Sequence, residues 1–225
     1  MDGSGREASH QGITAGGEGL LLLAERAVYW PRTGTLLIAD AHFGKAASFR
    51  ARGVPVPEAT TTDNLDALGR LVERWSPRRI VFLGDFTHAR EADSEPTRGA
   101  LCAWRRRYSS PELILVRGNH DALESGLTAA LDMRTEDEPW QQGGLALCHH
   151  PQAVCGAYVV AGHLHPAYRL TGRANERARL PCFWFAARTG ILPAFGAFTG
   201  GALVRPGRGD RIYLVGPQRV HPVPP

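Results

Sequence analysis

Eight polar residues of this sequence carry side chains that bind metal ions or transfer protons. Asp40 and His42 lie two apart, so an extended chain projects both side chains to the same side, where they can hold one ion. The other six are Asp85, Asn119, His120, His149, His163 and His165. Imidazole ligands mixed with carboxylate and amide oxygens favour transition metals over Mg or Ca. The set predicts a metal-dependent hydrolytic centre.

A pair of ions is expected, because the two oxygens of Asp85 can bridge two cations that would otherwise repel each other. Two such ions clamp a phosphoryl group and lower the pKa of a bridging water, whose hydroxide then attacks phosphorus. His120 follows Asn119 and is not needed as a ligand, so it is the predicted proton donor to the leaving oxygen or stabiliser of the transition state. Asp121 is predicted to orient His120. The predicted reaction is hydrolysis of a phosphate ester.

The polar clusters follow short apolar runs that we predict to be strands. These runs are residues 36–39, 80–83, 113–116, 145–148 and 158–161. In α/β sheets, ligands bind outside the carboxyl ends of the strands, so the five clusters are expected to meet in one crevice. Helical spacing of apolar residues predicts helices from Pro57 to about Trp75 and from about Pro96 to Tyr108.

The 225 residues fit one domain, which we place at residues 20–215. Residues 1–19 are rich in Gly, Ser and charge, and residues 216–225 are rich in proline, so both are predicted to be tails. The four cysteines form no CxxC pair, which favours a reduced compartment. The sequence has neither a signal-like apolar segment nor a run long enough to span a bilayer. A cytoplasmic protein with no membrane partner is expected.

The order of these motifs resembles that of the calcineurin-like metallophosphoesterase superfamily. The motifs are Asp40-Ala41-His42, Gly84-Asp85, Gly118-Asn119-His120-Asp121, His149 and Gly162-His163-Leu164-His165. The resemblance implies an α/β fold, a four-layer αββα sandwich of two mixed sheets flanked by helices. It also implies that the ligands divide into two sets that share Asp85. One set is Asp40, His42, Asp85 and His165, and the other is Asp85, Asn119, His149 and His163.

Three longer segments are similar to a narrower group, the bacterial DNA ligase-associated phosphoesterases (PdeM). The segments are ADAHFGKAASFRARGVPVP, FLGDFTHAR and LCHHPQ. This resemblance implies a Mn-dependent nuclease that nicks single-stranded DNA and works with a DNA ligase and other repair enzymes. It also implies that His88 is an extra catalytic histidine near the leaving group, whereas the residues alone leave an ordinary loop histidine equally open.

Either His149 or His150 can be the ligand in the segment LCHHP. The resemblance favours His149, because the family places its histidine directly after the strand. His150 is then predicted to face the substrate, with a surface histidine as the alternative.

The formal charge of +4 comes from an arginine excess and is a weak indication of a polyanionic partner. Lys45 and Arg50 follow the first metal motif closely, and Arg117 precedes Asn119, so all three are predicted to hold flanking phosphates at the rim of the crevice. A later basic stretch is either a groove wall or an exposed loop. It contains Arg169, Arg173, Arg177 and Arg179.

The predicted function is hydrolysis of DNA phosphodiester bonds by a metal-dependent endonuclease of DNA repair that prefers single strands. The expected cofactors are two divalent transition-metal ions, Mn2+ first, with Fe or Zn as alternatives. The alternative function is a phosphatase, or a phosphodiesterase of small molecules or cyclic nucleotides, with the same dimetal site, because a fold does not fix the substrate.

Overall fold

Two mixed β-sheets pack face to face in this protein and form an α/β sandwich, as the sequence predicts. The computed structural model describes residues 10–51, 53, 60–87, 94–118, 125–171, 177–197 and 199–224.

The first sheet has seven strands in sequence order. They are β1 (His10–Ala15), β2 (Glu18–Leu23), β3 (Ala27–Trp30), β4 (Thr35–Ala39), β5 (Arg79–Leu83), β6 (Glu112–Val116) and β7 (Met133–Glu136). Strands β1 to β4 are antiparallel neighbours, and β4 to β7 are parallel neighbours. The parallel strands β4, β5 and β6 are apolar almost throughout, because both faces of this part of the sheet are covered.

Four described helices occupy the connections between the parallel strands. They are α1 (Lys45–Ala51), α2 (Thr60–Trp75), α3 (Glu95–Arg107) and α4 (Ser125–Ala130). Helix α2 buries Leu65, Leu68 and Leu71, and α3 buries Leu101 and Trp104, all against the outer face of the first sheet. The predicted helices are confirmed over residues 60–75 and 96–107, and residues 57–59 of the first prediction lie outside the described part of the chain. None of the described helices is long and apolar enough to cross a membrane.

The second sheet contains the remaining strands. They are β8 (Trp140–Gln142), β9 (Leu145–Leu147), β10 (Tyr158–Ala161), β11 (Pro166–Thr171), β12 (Arg177–Phe185), β13 (Thr189–Ile191), β14 (Ala202–Leu203), β15 (Arg211–Val215) and β16 (Val220–Pro222). The order is β14-β11-β12-β13-β10-β9-β8, and β15 pairs with β12 and β16. Strand β10 is parallel to both of its neighbours, β9 and β13.

The main core lies between the two sheets. Alternate residues of each strand face it, as the twofold repeat of a strand requires. In β4, Leu37 belongs to this core, whereas Leu36 and Ile38 point to the helices. The second sheet contributes Leu147, Val160, Phe183 and Phe185, among others.

All described helices lie on the first sheet, so in the described part of the chain no helix forms the expected fourth layer. The link from β9 to β10 is short and contains Pro151 and Gly156, which oppose a helix. The outer face of the second sheet instead carries an open groove of about 680 Å³, lined in part by Val154, Val159 and Trp184.

Both predicted tails differ from the structure over their described residues, 10–19 and 216–224, while residues 1–9 and 225 lie outside the described part of the chain. Residues 10–15 form β1, and residues 18–23 form β2, with Ile13, Ala15 and Leu20 facing the main core. At the other end, β16 pairs with β15, and Val220 is buried. The Gly-rich and Pro-rich compositions misled the prediction, because in a half-buried strand only every second residue needs to be apolar.

Candidate metal centre

Six of the predicted metal ligands lie together at the carboxyl ends of four strands. Asp40 and His42 follow β4, Asp85 follows β5, and His149 follows β9. His163 and His165 follow β10. Backbone hydrogen bonds tie these loops to one another, including one from the amide of His42 to the carbonyl of Asp85 at 2.9 Å. The first sheet supplies the carboxylates and the second sheet supplies three of the four imidazoles.

Asp40, His42 and His165 form one compact group. The Nε2 atoms of His42 and His165 are 3.4 Å apart, and the Nε2 of His165 is 3.5 Å from Asp40 Oδ1. Asp85 Oδ2 lies 3.9 Å from His42 Nε2. Atoms that ligate one ion at about 2.1 Å lie roughly 3 to 4 Å from one another, so these spacings suit a single cation.

A second group contains His149 and His163. His149 Nε2 lies 3.0 Å from His163 Nδ1 and 3.7 Å from Asp85 Oδ1. Asp85 therefore presents Oδ2 to the first group and Oδ1 to the second. This is the arrangement in which one carboxylate holds two cations.

The buried polar atoms fit a pair of cations. Asp40 Oδ1 is buried and accepts no hydrogen bond from any described residue, a costly state for a carboxylate oxygen unless a cation lies beside it. The Nδ1–H of His149 donates to the carbonyl of Leu83 at 3.2 Å, so Nε2 is the ring nitrogen that carries the lone pair. Asp40 Oδ2 is held by the amide of His163 at 2.8 Å.

The glycines of the motifs are required by close packing. A Cβ on Gly162 would lie 2.5 Å from Asp40 Oδ2. A Cβ on Gly84 would overlap the ring of His149, and Gly84 also has a φ of +69°. Only glycine lets the backbone approach the ligands this closely.

The ligand-bearing backbone is strained. Eight described non-glycine residues have a positive φ, and five of them are predicted ligands. These five are Asp40, His42, Asp85, His163 and His165. The left-handed conformation costs roughly 1 kcal/mol or more per residue, and such strain concentrates at functional sites. The rest of the fold therefore offsets the free energy of this strained backbone, which points the five side chains into the site.

The charge state of His163 suits ligation. Burial lowers the pKa of His163, and the adjacent His149 and His150 lower it further. A neutral imidazole is the form that binds a metal ion.

His150 lies close enough to His149 and His163 to belong to one possible metal-binding group with them, but Glu138 engages its Nδ1. Its Nδ1 lies 2.6 Å from Glu138 Oε1, and Glu138 Oε2 accepts the amides of His149 and His150 at 2.6 and 2.8 Å. The ring of His149 is fully buried between Asp40 and Asp85, whereas that of His150 is partly exposed. Glu138 was not predicted, because an acidic run before a proline carries no recognisable signal.

The three predicted phosphate-binding cations have different surroundings. Lys45 is buried rather than exposed at the rim, and burial lowers its pKa while the charges of Asp85 and Asp40 partly offset that effect. Arg50 is exposed on α1. Arg117 is engaged by Asp137, which accepts from its Nε at 3.0 Å. Arg117 is therefore already neutralised in part by a carboxylate.

Four predicted site residues lie outside the described part of the chain. They are the ligand Asn119 and the catalytic candidates His88, His120 and Asp121. Of the described residues just before them, Gly118 lies close to the backbone of Asp85, and Thr87 pairs with Phe43.

The chain is similar to a solved structure, the Pseudomonas putida nuclease MPE, with 39% sequence identity and a TM-score of 0.81. The match covers 95% of this chain and 100% of that one. The chain belongs to the metallophosphoesterases. As a metallophosphoesterase of the PdeM-like kind, it has the two mixed sheets and the convergent Asp and His residues described above.

Two other solved structures match at lower identity. YfcE, a phosphoesterase from E. coli, has 15% identity and a TM-score of 0.43 over 81% of this chain and 88% of that one. The protein of unknown function AQ665 from Aquifex aeolicus has 19% identity and a TM-score of 0.40 over 58% of this metallophosphoesterase and 78% of that chain. No protein-family model and no curated protein sequence matches the chain.

Proposed function

We propose that this metallophosphoesterase is a dimetal phosphodiesterase that cleaves DNA, preferring single strands, as an endonuclease. The observation that carries the proposal is the position of Asp85, whose two oxygens face two separate groups of imidazoles. The nuclease activity of the 39% identical protein supports nucleic acid as the substrate.

Seven residues would hold the two ions in this proposal. The first ion would take Asp40, His42, Asp85 and His165, and the second Asp85, Asn119, His149 and His163. Mn2+ is the proposed ion, with Fe or Zn as alternatives, because all three accept mixed oxygen and imidazole ligands. Bound there, two divalent ions clamp a phosphoryl group and lower the pKa of a shared water toward neutrality.

The remaining groups act on the substrate. We assign to His120 the donation of a proton to the leaving oxygen, and to Asp121 the orientation of that imidazole. His88 is the second candidate near the leaving group. Burial of Asp40, Asp85 and His149 excludes water from the ligand side of the crevice, which strengthens the electrostatic interactions made there.

A role in DNA repair, with a functional association with a DNA ligase, is part of the proposal. Its support is the resemblance of three segments to the ligase-associated phosphoesterases, which includes the residues around Lys45 and His150. That resemblance extends beyond the ligands shared by the superfamily.

The test is incubation of the purified protein with circular single-stranded DNA and circular duplex DNA in the presence of Mn2+. We expect linear single strands to form faster than cut duplex, and we expect exhaustive chelation to stop the reaction. Asp85→Asn should lower the rate by roughly 100-fold or more, because metal catalysis contributes several kcal/mol. Asp66→Asn, the same substitution on the exposed side of α2, is the matched control and should keep the wild-type rate.

The rival function is hydrolysis of small phosphate esters. Hydrolysis of mononucleotides or cyclic nucleotides without cleavage of the circles would establish it in place of the nuclease. Separately, a His120→Ala variant that binds metal and retains near-wild-type activity would refute the role given to His120.

A further inference from the structure

A cavity of about 260 Å³ opens beside the first group of ligands, with His165 in its wall. We name it the arginine pocket, after the two arginines that line it, Arg26 and Arg179. Thr199, Gly200 and Gly201 also line it. None of the described residues that line it is acidic, so this described lining carries a net positive charge.

Arg26 is a partly buried cation in the turn between β2 and β3. Its guanidinium makes no hydrogen bond or ion pair with any described residue, and burial lowers its pKa. A charge held in this way costs free energy unless an anion joins it. Arg26 also has a φ of +62°, so the backbone is strained as it is at the ligands of the metal centre.

Arg179 approaches the same cavity from β12. Its Nη2 would be 3.8 Å from a Cβ placed on Gly201, and that Cβ would be 2.9 Å from the carbonyl oxygen of His165. A side chain at position 201 would therefore collide with the backbone of His165 at the edge of this pocket. The guanidinium of Arg179 is exposed, and no described carboxylate pairs with it.

Two arginines at one small cavity, neither paired with a described carboxylate, are suited to a phosphate, which arginine binds through parallel hydrogen bonds. His165 lines the pocket and also belongs to the first ligand group. An anion in the pocket is thus a close neighbour of the phosphate held at the metal centre.

We propose that the arginine pocket binds the phosphate next to the scissile phosphodiester, so that the enzyme selects a polynucleotide over a substrate with one phosphate. This proposal rests on the proposed function. It identifies the second phosphate as the substrate feature that the enzyme recognises. In this proposal, Arg26 and Arg179 bind the substrate. Arg179 belongs to the basic stretch of residues 169–179, which the sequence left open as a groove wall or an exposed loop, and the proposal assigns it to the groove wall.

The test compares Arg26→Gln, Arg179→Gln and the double variant on two substrates. One is a single-stranded oligonucleotide, and the other is bis(p-nitrophenyl) phosphate, a phosphodiester without a second phosphate. We expect kcat/KM for the oligonucleotide to fall at least about 10-fold more than kcat/KM for the small diester, since a charged hydrogen bond is lost. Arg70→Gln, on the exposed face of α2, is the charge-matched control and should change neither value.

A second measurement does not depend on catalysis. Binding of a fluorescent oligonucleotide to the chelator-treated protein is followed as the salt concentration is raised. Each lost phosphate contact should reduce the slope of log K against log salt by about 0.7. Equal losses on both substrates, or an unchanged slope with unchanged kcat/KM, would overturn the proposal. If the wild type hydrolyses neither substrate, the proposed function fails, and the salt slope still decides whether the pocket binds phosphate.

Discussion

At the scale of single residues, the hydrogen bond from His149 to the carbonyl of Leu83 decides which nitrogen can meet a metal ion. It fixes the proton on Nδ1 and turns Nε2 toward His163 and Asp85. The neighbouring His150 has its Nδ1 engaged by Glu138. Two adjacent histidines with identical chemistry therefore have different surroundings, and the difference comes from the backbone and from one carboxylate.

This difference predicts the metal content of two variants. His149→Ala should bind about one ion less than the wild type, because it removes a buried donor of the second group. His150→Ala should keep the full metal content. Metal analysis of the desalted proteins, with circular dichroism to confirm folding, gives the answer. Loss of an ion from His150→Ala alone would reverse the two assignments.

The convergence of the ligands was predictable at this scale, whereas the supporting contacts were not. A polar residue directly after an apolar strand has a predictable location, since strand ends share one edge of a sheet. Glu138 and Arg26 come from parts of the sequence with no such marker. Their positions depend on how the second sheet and the β2–β3 turn pack, which residue types do not specify.

At the scale of elements, Glu18 links strands that are distant in sequence. Its carboxylate accepts from the indole of Trp30 at 3.0 Å, from Nε of Arg32 at 2.7 Å, and from the amide of Gly144 at 3.5 Å. Trp30 belongs to the first sheet, and Gly144 precedes β9 of the second sheet. A residue expected in a tail is thus a connection between the two sheets.

Glu18→Gln should lower the free energy of unfolding by about 1 kcal/mol near neutral pH, a value discounted because Arg32 is exposed. Hydrogen bonds from Arg32 and Trp30 hold the pKa of Glu18 below its ordinary value of 4.5. This stabilisation is therefore complete above pH 4.5 and is lost as the pH falls through the lowered pKa.

Urea unfolding of the metal-free protein between about pH 7 and about pH 4 measures this effect. The difference in the free energy of unfolding between the wild type and Glu18→Gln should become smaller as the pH falls. Glu25→Gln is the control, since the carboxylate of Glu25 accepts no hydrogen bond from the described residues. If this difference in free energy stays constant with pH, the ionised carboxylate of Glu18 is not the source of the stabilisation.

The strands that carry the ligands were predicted because each is an apolar run that ends at a polar motif. Strands β1 and β2 were missed, since glycines are frequent in β1, in the start of β2 and in the turn between them, at Gly12, Gly16, Gly17 and Gly19. Gly16 shows why a glycine is needed there, because a Cβ at this position would lie within 2.9 Å of the carbonyl of Gly144. A contact of this kind between two sheets cannot be predicted from a single sequence.

At the scale of the whole molecule, the proposed ions would join the two sheets. The first group combines Asp40 and His42 with His165, and the second combines Asp85 with His149 and His163. Each ion would therefore take ligands from both halves of the sandwich. Metal binding should therefore favour the docking of the sheets, which the apolar core between them also holds together.

Divalent ions should consequently stabilise the whole fold. At a free Mn2+ concentration 100 times the Kd, each site adds about 2.7 kcal/mol to the free energy of unfolding. Thermal unfolding monitored by circular dichroism, with and without chelator, measures the gain. Asp85→Asn should lose most of it. A midpoint that does not respond to Mn2+ in the wild type would show that no such link exists.

The predicted ligands are far apart in the sequence, so the ribosome adds them to the growing chain at different times. A growing chain that has reached residue 140 carries Asp40, His42 and Asp85 but lacks His149, His163 and His165. It cannot assemble either ion site, and the second sheet that would hold the missing imidazoles does not yet exist. If the two proposed ion sites are needed for hydrolysis, activity should therefore begin only after His165 has been synthesised, and we expect fragments that end before it to be inert toward phosphate esters.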